Sequence, residues 1–135
     1  MDIKELKPTS IWHYFDAITG VPRPSKKEER IREFLLNFAK EQNLEVKVDK
    51  TGNVVITKEA TPGCEGAPTV ILQAHMDMVC EKNGDVKHDF ERDPIETYID
   101  GEWVKARGTT LGADNGIGMA AAMAVLADKE LKHGR

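Results

Sequence analysis

Hydrophobic positions change period several times along the chain, and each change predicts an element. Ile11, Trp12, Phe15 and Ile18 recur at helical spacing behind Thr9-Ser10, residue types that cap helix starts, until Gly20 and Pro22 stop the pattern. Ser25 and Glu28 have capping-box spacing, in which hydroxyl and carboxylate satisfy each other's orphan backbone donors. Ile31, Phe34, Leu35 and Phe38 follow on one face, so a second helix is expected from Ser25 to about Glu41.

The period then shortens. Leu44, Val46 and Val48 alternate with charged residues, and the turn formers from Asp49 to Asn53 lead into Val54-Val55-Ile56, which predicts a hairpin with one wet face. A Pro-, Gly- and Thr-rich loop spans 61–68. Thr69-Val70-Ile71-Leu72-Gln73-Ala74 is a continuous apolar run between turn formers, expected as a strand buried on both faces and central to a sheet. Residues 81–94 are polar and irregular, and Tyr98 to Val104 form a second hairpin around Asp100-Gly101. An Ala- and Met-rich helix is expected from about Asn115 to Leu126, with Lys132-His133-Gly134 as its C-terminal signal. The element order predicts an α/β fold, a partial mixed sheet with helices on both faces. An α/β pattern calls for further central strands after the last helix, so residues 1–135 are expected to be the front part of a larger domain.

Composition narrows the function classes. The 135 residues make one domain's worth of chain, and 40% hydrophobic residues exclude a disordered tail. Lys and Arg number 19 against 23 Asp and Glu, for a net charge of -4 without a basic block. Nucleic-acid and anionic-membrane partners are therefore not expected. No apolar run approaches the roughly 20 residues that span a bilayer, and the first residues lack the order of a secretory signal, so a cytoplasmic location is expected. Cys64 and Cys80 have no paired spacing and are expected to be free thiols.

Two segments carry candidate chemistry. His75-Met76-Asp77 follows the expected buried strand, at the strand end where ligands of open α/β sheets gather. Residues two apart on extended backbone face one side, so His75 and Asp77 share a spot. Imidazole is a good ligand for zinc and related metals, and a nearby carboxylate can take its other ring N–H. The alternative is a polar pair bonding locally. In the second segment, Arg107 to Gly118, Asp114 sits among Gly112, Gly116 and Gly118 just ahead of a helix. A tight glycine turn can present its carboxylate as a bridging metal ligand, or Asp114 can cap the helix. A phosphate loop is disfavoured by the missing Gly-Lys-Ser/Thr ending and by the acidic side chain. His13, His88 and His133 follow no buried strand and are expected to be surface or packing residues. Cys80 is expected to be inert, and Met76, Met78, Met119 and Met123 to pack.

Together, Val70-Ile71-Leu72-Gln73-Ala74-His75-Met76-Asp77-Met78-Val79 and Trp103 through Gly118 closely resemble the aminoacyl-histidine (Xaa-His, carnosine-cleaving) dipeptidases. The wider group contains di-zinc aminopeptidases, carboxypeptidases and deacylases. The likeness extends through Pro22-Arg23-Pro24-Ser25, Asp89-Phe90 and Asp93-Pro94-Ile95. It implies that residues 1–135 are the N-terminal part of a metallopeptidase catalytic domain, the rest of which lies outside them together with a dimerisation and lid domain. It implies metal-dependent hydrolysis of dipeptides by the full-length protein, a homodimer, with two zinc ions or cobalt or manganese in their place. His75 would bind one metal, Asp114 would bridge both, and Asp77 would be the catalytic-site partner of His75. The Asp114-Asn115 bond is expected to be cis. The water-activating glutamate and three further metal ligands are not among these residues, so the chain alone is expected to be inactive. The alternatives are a non-catalytic fragment, or a related amino-acid deacylase or aminopeptidase.

Overall fold

A computed structural model describes residues 1–135. A 3-10 turn at Ile3–Glu5 precedes three helices, α1 (Thr9–Thr19), α2 (Glu29–Glu41) and α3 (Ala113–Ala127). Four short strands form two separate antiparallel hairpins: β1 (Glu45–Val48) with β2 (Val54–Thr57), and β3 (Thr97–Asp100) with β4 (Trp103–Ala106). The α/β class holds, with its strands in two hairpins that do not join into one sheet.

The core follows from the helical periodicities. Phe15 and Ile18 of α1 pack with Met119, Ala120 and Met123 of α3, and Ile31, Leu35 and Phe38 of α2 close the cluster with Ile3. All are buried, and each large apolar side chain contributes about 1.5–3 kcal/mol through burial. Trp12 and Tyr14 meet the rings of Phe15 and Phe38 edge-to-face, with centroids 5.8 and 5.5 Å apart. Both hairpins lean on this cluster by one face. Val54 and Ile56 do so in the first, Ile99 and Val104 in the second, while Val55 and Trp103 point to solvent. Asp49 sets the first turn, since its Oδ1 accepts the backbone N–H groups of Thr51, Gly52 and Asn53 at 2.9 Å.

Two helix starts and one stop signal need correction. Helix α1 begins at Thr9 behind Pro8, so Thr9-Ser10 lie inside it. Helix α2 begins at Glu29, and no side chain caps it; Ser25 is four residues upstream and bonded elsewhere. Helix α3 ends at Ala127, one residue past the expected Leu126; its last carbonyls, of Ala124 and Val125, accept the Asp128 N–H, and Lys132-His133-Gly134 take no part in that stop.

The larger correction concerns 69–74. These residues pair with no strand, and Val70, Ile71 and Leu72 are 70, 85 and 55% exposed. The physical reason is the absence of neighbours: no second strand among these residues runs alongside, and a β-branched run is buried only where a sheet is built around it. The one backbone bond here runs from Val70 N–H to the carbonyl of Arg135, at 2.9 Å. No helix is long and apolar enough to cross a membrane. Cys64 and Cys80 are free thiols.

These placements separate two isoleucines that the sequence pattern treats alike. Ile18→Ala is expected to lower unfolding free energy by about 2–5 kcal/mol, and Ile71→Ala to change it by under about 0.5 kcal/mol. Urea denaturation of both variants checks this, and a core-sized loss for Ile71→Ala would restore the buried strand.

Candidate metal site

The site begins with an arginine. Arg23 sits between Pro22 and Pro24, whose rings hold the local backbone extended, and its side chain is 1% exposed. Its Nη1 donates to the carbonyls of Met76 and Asp77 at 3.1 and 3.2 Å, and its Nη2 donates to the carbonyl of Gly112 at 2.7 Å. One buried cation thus ties together the two segments that carry candidate chemistry. Burial pulls its pKa below the ordinary arginine value while the Asp77 carboxylate acts in the opposite direction, and guanidinium keeps its charge throughout.

The glycines match this clamp. Gly112 has φ +76°, and a Cβ there would stand 2.5 Å from Arg23 Nη2 and 2.9 Å from the Met78 sulfur. A Cβ on Gly116 would stand 2.8 Å from the same nitrogen. At Gly112 the requirement is both positive φ and close approach, and at Gly116 close approach alone. On the far side, Thr110 Oγ1 donates to the carbonyl of Val79 at 2.6 Å, and Thr110 N–H to that of Glu81 at 2.9 Å. The two segments are therefore pinned at both ends.

Between the pins, burial alternates as extended backbone requires. Ala74, Met76 and Met78 face the core, and His75 and Asp77 face out. His75 Nδ1 lies 2.9 Å from Asp77 Oδ1, and its Nε2 lies 3.0 Å from Asp114 Oδ1. Asp114 does not cap the helix: Asn115 does so, its Oδ1 accepting the Gly118 N–H at 3.2 Å, and the Asp114 side chain is 97% exposed. Asp114 and Asn115 have non-helical backbone, and the peptide bond between them is cis, as expected. His13 packs on Tyr14 and His88 on Phe90, while His133 Nδ1 lies 2.7 Å from the carbonyl of Gly134; none of the three approaches His75. Burial pushes the Cys80 thiol above its ordinary pKa, which disfavours the reactive thiolate.

The chain matches proteins that cleave small peptides. The cytosol non-specific dipeptidase of Escherichia coli (strain K12) is 54% identical over 133 residues, 98% of this chain and 27% of that protein. The crystal structure of aminoacylhistidine dipeptidase from Vibrio alginolyticus superimposes with a TM-score of 0.97 and 57% identity, over 99% of this chain and 27% of that one. Over its whole length the chain is similar to one part of these two dipeptidases. It spans about a quarter of the length of these relatives. A tripeptidase structure from Staphylococcus aureus shares the fold, with a TM-score of 0.74 at 21% identity over 96% of this chain. No family-wide sequence model matches.

The donor chemistry of His75 and Asp114 suits a cation. Each ring nitrogen of His75 faces a carboxylate oxygen, yet a neutral imidazole has one proton to offer. Two protons on the ring would satisfy both carboxylates, and so would a cation between Nε2 and Asp114. Imidazole nitrogen with carboxylate oxygen is a pair that zinc, cobalt and manganese accept. No group of three or more His, Cys, Asp or Glu is arranged to hold an ion, so these residues could supply at most part of a coordination sphere. A cavity of about 720 Å³ lies elsewhere, lined by residues such as Ile3, His88 and Arg107, and includes none of the three site residues.

Arg23, quoted in sequence only as part of a likeness, is what the residue-by-residue reading missed; its signal was a charged side chain locked between two prolines. Arg23→Met is expected to lower stability by about 3 kcal/mol or more, because three carbonyls lose a charged donor, with loss of the NMR contacts between the 76–78 and 112–114 segments.

Without metal, the Asp114 carboxylate and then Asp77 hold His75 protonated above its ordinary pKa of 6.5. A folded-state pKa raised in this way adds stability that is full below the unfolded value and lost as pH rises through the folded one. An NMR titration should therefore find His75 above 6.5, and Asp114→Ala should lower it.

Proposed function

We propose that these residues form one wall of the metal centre of a dipeptidase, with His75 binding one ion, Asp114 bridging it to a second, and Asp77 orienting His75. The observation that carries this is the meeting of His75 Nε2 and Asp114 Oδ1 at 3.0 Å, with Asp77 behind the ring at 2.9 Å. Support comes also from relatives named for dipeptide cleavage at 54 and 57% identity. Zinc is the proposed metal, with cobalt or manganese as substitutes, since all accept imidazole and carboxylate together.

Each residue here has a physical task. The Asp77 carboxylate accepts from His75 Nδ1, fixing the ring and raising the basicity of Nε2. Arg23 holds the two segments at a fixed separation by bonding carbonyls of both. Gly112 and Gly116 admit that guanidinium, and the turn leaves the Asp114 carboxylate exposed toward the reaction space. A cation held at Nε2 and Asp114 supplies Lewis acidity toward a peptide carbonyl and acidifies water. The proton of that water needs a positioned acid-base group, commonly worth about 10² to 10⁴ in rate; none among residues 1–135 adjoins His75 Nε2 besides Asp114.

The substrate class proposed for the full-length protein is the dipeptide, Xaa-His above all. A cytoplasmic location and homodimerisation through polypeptide outside these residues belong to the same proposal. Nucleic acid and membrane have no part in it.

For the isolated chain, zinc affinity should fall well short of the roughly 10–16 kcal/mol of complete zinc sites, because at most two donors are present. His75→Ala and Asp114→Ala should each abolish it, as read by calorimetry. The isolated chain should not hydrolyse β-Ala-His, whereas a full-length protein containing it should do so and lose at least about 10²-fold in rate on Asp114→Ala. Hydrolysis by the isolated chain, or a full-length protein indifferent to Asp114, would contradict these assignments.

A further inference from the structure

Ser25 is the part of the sequence pattern that the second helix leaves unused. The capping box would place its hydroxyl on the helix start, but α2 begins four residues later with no side-chain cap. The hydroxyl has a different partner, and the local backbone aims it there. Met78 N–H donates to the carbonyl of Arg23 at 3.0 Å, and Pro24 and Met78 form a single parallel bridge. Lys27 N–H donates to the carbonyl of Pro24 at 2.9 Å, and Lys26 takes a left-handed φ of 69°. This turn brings Ser25 Oγ within 2.5 Å of Asp77 Oδ2, to which it donates. The other carboxylate oxygen, Oδ1, is the one that meets His75 Nδ1.

We infer that Ser25 is a positioning residue of this site: by holding Oδ2 of Asp77 it leaves Oδ1 directed at His75 Nδ1–H, and so keeps His75 Nε2 free to ligate a cation. The purpose of the device rests on the metal-site proposal, but its hydrogen bonds lie wholly among side chains of this chain. A carboxylate on an exposed extended segment turns about two torsions, and a single contact with imidazole does not fix it. A second hydrogen bond, donated from a turn that is itself bonded to the same segment, does. Neutral imidazole carries one proton, and its position depends on which nitrogen has the better acceptor. With Asp77 fixed, the proton stays on Nδ1. With the Asp77 carboxylate free to rotate, only the Asp77 carbonyl, 3.0 Å from Nδ1, still holds the proton there; Nε2 takes a larger share, and a protonated Nε2 cannot bind metal. Ser25 itself is exposed and packs against none of the core, so loss of its hydroxyl should leave the fold intact.

The test is side-chain nitrogen NMR of His75 in the zinc-free chain, at a pH where the ring is neutral. Asp114→Ala is included throughout, so that only Asp77 contends for the ring proton. With Ser25 present the ring should be mainly Nδ1–H. Ser25→Ala should lower the ratio of Nδ1–H to Nε2–H about fivefold, the usual effect of losing one net hydrogen bond, and Ser25→Thr should restore it. An unchanged ratio in Ser25→Ala, or a ratio lost there that Ser25→Thr does not recover, would overturn the assignment. Zinc titration of the unsubstituted chain separates the two proposals. If zinc fails to shift the His75 and Asp114 signals, the metal reading is lost, while the tautomer ratios still decide the role of Ser25.

Discussion

A buried guanidinium has to find acceptors, and where Arg23 finds them decides how the chain is arranged. Its partners are carbonyls at residues 76, 77 and 112, far apart in sequence. Burying a cation in an apolar core without such partners would cost several kcal/mol, so the two segments are held where those carbonyls can be reached. The other features of the site follow from this. Glycine is needed at 112 and 116 because a Cβ would strike the guanidinium. Asp114 begins its helix with non-helical backbone because the preceding turn is committed to the clamp. His75 then faces Asp114 because alternation along 74–78 turns every second side chain outward, over the place where the Gly112 turn lies.

Much of this arrangement was legible in the sequence, and what was not has a physical pattern. Local periodicity found all three helices and both hairpins, since Phe15, Ile18, Leu35 and Phe38 bury the faces that their spacing predicts. Alternation also foretold that His75 and Asp77 share one side. Helix starts were misjudged, because a hydroxyl near a helix start has several possible acceptors: Ser25 bonds a carboxylate 52 residues away in preference to the helix. The role of Arg23 was out of reach of periodicity, since its three acceptors are backbone atoms and backbone atoms leave no trace in residue types.

The run 69–74 shows the opposite limit. Its composition describes the environment it suits, a sheet interior, and not the one these 135 residues provide. Val70, Ile71 and Leu72 stand exposed, while the segment that immediately follows is clamped by Arg23 and Thr110. Order in the His75–Asp77 segment thus does not depend on strand pairing ahead of it. That independence lets His75, Asp77 and Asp114 meet within residues spanning 27% of the relatives' length.

The most direct test of a shared cation between His75 and Asp114 is anomalous diffraction at the zinc edge, from crystals of this chain equilibrated with zinc. A zinc peak about 2.0–2.2 Å from both His75 Nε2 and an Asp114 carboxylate oxygen, with Asp77 still on Nδ1, is the predicted result. Zinc bound elsewhere while His75 and Asp114 keep their direct contact would contradict it.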